Sequence, residues 1–141
     1  MMEVELLNEI IGTLGLTKIK FYQYHWNIED KYENLHDIIV RNDKHITTYM
    51  DECAGLVKKY GETPISTLTE FLEYSWIKEY PYHVKLSSTE LIDDLLTDLN
   101  VIANKFEEYL EEFKDNDEIV ELLTRVLEGT RINITRINEL K

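Results

Sequence analysis

The chain has 141 residues, 43% of them hydrophobic, with 15 Lys and Arg against 28 Asp and Glu and a net charge of −13. So acidic a balance argues against nucleic-acid partners, because that affinity starts with basic groups displacing counterions from phosphates, and it draws cations to the surface instead. Cys53 has no second cysteine to pair with, which suits a reducing cytoplasm.

The opening segment MMEVELLNEI lacks the basic start and long apolar run of a secretory signal. No stretch approaches the roughly 18 unbroken apolar residues of a membrane span. The length suits a single soluble domain, residues 1–141, with its own core.

Helical spacing of Leu7, Ile10, Ile11, Leu14, Phe21, Tyr22 and His25 predicts a first helix from Val4 to about Ile28. Gly12 and Gly15 weaken such a helix by about 1 kcal/mol each, so they mark close packing against a neighbour. EDK (29–31) reads as a turn. A second helix follows from about Tyr32 to Tyr60, its apolar side carrying Leu35, Ile38, Ile39, Ile46, Cys53 and Val57. YGETP (60–64) ends it, with glycine just past the terminus and proline soon after. A long connection holds a short amphipathic helix within 66–77, begun by a Thr67–Glu70 capping box. A third helix from about 87 to 113 also opens on Ser/Thr ahead of acids. KDND (114–117) turns the chain into a fourth, about Glu118 to Leu140.

The expected architecture is therefore all-α: a four-helix bundle with a short helix in the long crossover between helices two and three, the connectivity of ferritin-like bundles. Fold alone assigns no function.

The segment YHWNIEDKYENLH brackets a turn with His25 and His36. First-row divalent metals accept imidazole and carboxylate donors, but histidines at helix ends also serve as capping or hydrogen-bonding groups, and a helix C-terminus favours a protonated His25. Around helix two, Asp43 lies about 20° and Asp51 about 60° from His36. Asp51 is nevertheless 15 residues on, about 22 Å along the axis. If Asp51 is a ligand with His36, a second, antiparallel chain must supply it, and a two-fold dimer creates two such sites at once.

KIKFYQYHWNIEDKYENLH, then DECAG, then YGETPISTLTEFLEYSWIKEYPY resemble the Dps mini-ferritins. The resemblance is dense over residues 18–82 and compatible in pattern beyond. It implies a ferritin-like subunit assembled from two-fold dimers into a hollow dodecamer. Such cages oxidise ferrous iron with hydrogen peroxide at intersubunit sites and store the ferric product, protecting against oxidative damage. On matching positions it implies His25, His36 and the partner subunit's Asp51 as metal ligands, for iron or, at the same site, zinc. It places Asp117 and Glu121 near acidic iron-entry pores and Trp26 beside the metal site. It also exposes departures: Val40 and Gly55 stand where the family carries acids, and the segment between the histidines is one residue short. Neither Glu52, about 100° from Asp51, nor Asp43 replaces them well. The alternative reading is a cage with a degenerate site that only binds metal or acts structurally. Cys53 reads as a buried apolar residue; His45 and His83 receive no role. Without a basic tail, DNA binding is not expected.

Overall fold

The computed structural model describes residues 1–27, 33–81 and 87–141. These form five helices, α1 (Met2–Asn27), α2 (Glu33–Lys59), α3 (Leu68–Tyr74), α4 (Ser88–Glu112) and α5 (Asp117–Asn138), with no strand among the described residues. The expected turn at 29–31 and His83 lie outside them. Among the described residues, no helix is long and apolar enough to cross a membrane.

The residues group into two compact units, the first comprising Met1–Ile28 and His36–Lys85. Here α1 buries nearly everything from Leu6 to Thr17, polar residues included, rather than a simple apolar stripe. The crossover explains this. A Cβ on Gly12 would stand 2.9 Å from Phe71 O and 3.1 Å from Tyr74 Cβ, and one on Gly15 would meet the Phe71 ring at 2.7 Å. Both glycines thus permit the close approach of α3 that their cost to the helix suggested. The crossover backbone also has polar groups without helical partners, and buried ones must be satisfied. Side chains of α1 do so. Ile65 N–H donates to Asn8 Oδ1 (3.2 Å) and Trp76 N–H to Thr13 Oγ1 (2.9 Å), while Lys20 Nζ donates to Lys78 O (2.9 Å) and Gln23 Nε2 to Tyr80 O (3.3 Å).

Capping chemistry sets the ends. Gly61 adopts φ +84°, with Gly61 N–H donating to Lys58 O and Glu62 N–H to Val57 O, a Schellman closure of α2. Thr67 and Glu70 form the expected capping box of α3. That helix stops at Tyr74, short of the expected 77. Ser75 turns extended and bonds Ile77 through its hydroxyl, while Thr13 captures the Trp76 amide.

The second unit comprises Glu29–Leu35 and Leu86–Lys141. Ser87 and Glu90 cap α4 reciprocally. Asn116 caps α5 by accepting from Ile119 N–H, so α5 starts at Asp117, one residue before the sequence pattern suggests. Arg131 pairs with Glu107, and Lys141 with Asp93 at 2.6 Å, so α4 and α5 run antiparallel. Leu95, Ile102 and Phe106 on α4 and Ile119, Leu122 and Leu123 on α5 are fully buried, each contributing about 1.5–3 kcal/mol.

Candidate metal centre

His25 lies in the last turn of α1 and His36 near the start of α2. Their Nδ1 atoms are 2.8 Å apart, and the rings meet edge to face with centroids at 4.9 Å. Seven residues farther into each helix, Lys18 Nζ reaches Asp43 Oδ1 at 3.5 Å and donates to Thr47 Oγ1 at 2.7 Å. The two contacts share one antiparallel register, which brings the histidines together. At 2.8 Å one Nδ1 donates its proton and the other accepts. On one tetrahedral ion, with bonds of about 2.0–2.1 Å, two nitrogens would stand about 3.4 Å apart. A small opening of the pair therefore suffices to admit a metal, and His25 is exposed enough for one to reach it.

Asp51 does not join them. α2 is unbroken from Glu33 to Lys59, so the axial separation from His36 stands at about 22 Å. Asp51 instead lines an open groove of about 320 Å³ with Gly15, Lys18, Ile19, Tyr22, Thr47, Met50 and Phe71. Among the described residues, no three His, Cys, Asp or Glu side chains converge so as to hold a metal ion. Asp43 Oδ1 is shielded from solvent, has no hydrogen-bond partner among the described residues and lies 3.5 Å from Lys18 Nζ. Val40 is 52% exposed on the surface of α2. Gly55 is exposed, and a Cβ built there meets nothing within 4 Å.

Trp26 is 74% exposed and stacks on Tyr22, one turn earlier, with centroids at 5.6 Å and planes 13° apart. Cys53 is fully buried and His45 stacks on Tyr49. In the second unit, Asp117 and Glu121 are exposed on the first turns of α5. Glu121 accepts from Arg125 Nε and Nη2, each at 3.0 Å, which holds its carboxyl below the usual value. Sequence reasoning overlooked Lys18. The signal was present, because once His25 faces His36 an antiparallel register puts residue 18 beside residue 43.

No family model matches the sequence. The chain is 29% identical over 113 residues to the DNA protection during starvation protein of Listeria monocytogenes, spanning 76% of this chain and 69% of that protein. Its fold matches Dps from Listeria innocua, solved from cobalt-soaked crystals, with a TM-score of 0.90 at 24% identity, covering 98% of this chain and 90% of that one. Dps from Staphylococcus aureus matches with a TM-score of 0.88 at 22% identity over 99% and 95% of the two chains. In both sequence and fold, then, the chain is similar to Dps proteins. Its fold is accordingly the Dps one, an all-α ferritin-like four-helix bundle with α3 in the crossover between the second and third long helices. Val40 and Gly55 both present open surface.

Proposed function

We propose that this protein is a mini-ferritin that binds ferrous iron between two-fold-related subunits, oxidises it with hydrogen peroxide, and stores the ferric product in a dodecameric cage. The observation that carries this reading is the convergence of His25 and His36 while the chain's own Asp51 stays about 22 Å away along α2. Two imidazoles ready for a metal and a carboxylate beyond reach are what a chain needs if its partner completes the site. A two-fold operation that brings the partner subunit's Asp51 to His36 also carries this chain's Asp51 to the partner subunit's His36, so one contact builds two sites. Iron is the substrate and cargo here. Two ferrous ions each give one electron, the O–O bond of peroxide breaks, and two hydroxides leave. Protection of DNA, for which the Listeria relative is named, then comes from removing iron and peroxide together. Asp117 and Glu121 would line the iron-entry path, with Arg125 reducing the pull of Glu121.

A second reading is favoured by Val40 and Gly55: a cage that binds or sequesters metal, iron or zinc, without rapid oxidation. Stopped-flow mixing of ferrous iron and peroxide separates the two. The first reading expects a rate well above that of the H25A/H36A double variant; equal rates leave only the second. Native mass tests the assembly, and a species of one or two chains would overturn the cage.

A further inference from the structure

We infer that each of these intersubunit sites takes one divalent first-row ion rather than a pair. This rests on the reading that His25, His36 and the partner subunit's Asp51 meet at a two-fold. The donors so assembled are two imidazole nitrogens and one carboxylate, which is the three-ligand set of a four-coordinate ion with one open position. A second ion needs its own donors and a bridge, since two dications a few ångströms apart repel strongly unless a carboxylate lies between them. Of the described positions on α2 one turn after His36 or Asp51, none carries a carboxylate. Gly55 has no side chain, and a Cβ there would meet nothing of its own chain within 4 Å, so the place is open but empty of ligand atoms. Val40, on the His36 side, presents only methyl groups to the surface. Asp43, nearest in angle to His36, faces Lys18 and lies about 10 Å along the axis. The set thus fits one ion and does not fit a bridged pair. A single ferrous ion delivers one electron, while peroxide needs two to reach water, so a one-ion site couples the reaction poorly and should turn over slowly.

The test is metal counting, independent of turnover. The assembled protein, stripped with chelator, is titrated with cobalt(II) while the visible bands of four-coordinate cobalt are recorded, and bound metal is measured by equilibrium dialysis. One histidine-dependent ion per chain is expected, absent from H25A/H36A. G55E, which returns a carboxylate to the open position, should raise the count to two. Two histidine-dependent ions per chain in the unaltered protein would overturn the one-ion inference and leave the intersubunit site standing. No histidine-dependent ion would overturn the site itself. A folded G55E that still binds one ion would show that the missing carboxylate does not set the count. If G55E fails to assemble, V40D makes the same comparison from the other side of the site.

Discussion

His25 and His36 hold their Nδ1 atoms 2.8 Å apart across the α1–α2 pair, close enough to share a proton and only a short opening from sharing a metal. Replacing either with alanine removes one of three proposed donors. Loss of an outer-shell partner alone costs about 10–100-fold in metal affinity, so loss of a ligand should cost no less. Because His25 is exposed, H25A should leave stability nearly unchanged. Competition against a chromophoric chelator measures the affinity, and an unchanged value for both single variants would dismiss the pair as ligands.

Alanine at two glycines should act with opposite signs. At Gly12 the new Cβ would lie 2.9 Å from a backbone oxygen and 3.1 Å from Tyr74 Cβ, neither of which can swing aside. G12A should therefore cost about 1–3 kcal/mol, the range for overpacking. At Gly55 the same methyl meets nothing, so G55A should gain about 0.5–1 kcal/mol from helix propensity. Urea unfolding midpoints read both. G12A as stable as the parent would mean that α3 does not rest on α1 as closely as the geometry requires.

Much of this was readable beforehand, for physical reasons. Capping boxes at Thr67–Glu70 and Ser87–Glu90, and the glycine at 61, are local chemistry, and they mark helix ends to within a residue or two. The histidine pair was readable because a short connection between antiparallel helices brings their ends together. What was not readable depended on contacts distant in sequence. The early end of α3 follows from Thr13, 63 residues from Trp76, taking its amide. The buried polar residues of α1 likewise make sense only once the crossover lies against them. The spacing set Asp43 too far along the helix to serve His36, but only the fold shows Lys18 beside it.

Thr13 is fully buried and accepts the Trp76 amide. Valine has nearly the same shape but no acceptor. T13V should therefore cost about 0.5–1.5 kcal/mol, the net worth of a typical hydrogen bond, since the Trp76 amide is only partly buried. The effect should concentrate in the crossover, with amide exchange at Trp76 accelerating more than at the α4 and α5 core. Uniform acceleration throughout would contradict a local anchor.

Glu70 gives a pH dependence with a definite sign. Its carboxylate accepts from Ser66 N–H (3.2 Å), Thr67 Oγ1 (2.9 Å) and Thr67 N–H (3.2 Å). The Ser66 bond first, then the Thr67 hydroxyl, hold its pKa below the ordinary value against a small opposing effect of burial. A carboxylate depressed on folding adds stability above its unfolded pKa and loses it as pH falls through the folded value. Relative to E70Q, the parent should be more stable at neutral pH, with the gap closing below the usual glutamate range near about 4.3. Thermal melts of both proteins across acid pH check this, and a gap that widened in acid would contradict the assigned hydrogen bonds.

Direct DNA binding should be absent at about 0.15 M salt, where affinity depends on cations free to replace condensed counterions. The chain has 15 Lys and Arg in all, and several of these, Lys18, Lys105, Lys114, Arg125, Arg131 and Lys141 among them, pair with carboxylates of their own chain. With a net charge of −13 per chain, every added subunit deepens the repulsion. A mobility-shift assay without divalent cations should show no complex, and a retarded band would overturn the expectation. Protection should nevertheless be measurable. Plasmid nicking by ferrous iron and peroxide should fall when the protein is present and return with H25A/H36A. Protection that survived the loss of both histidines would place its source outside the proposed metal site.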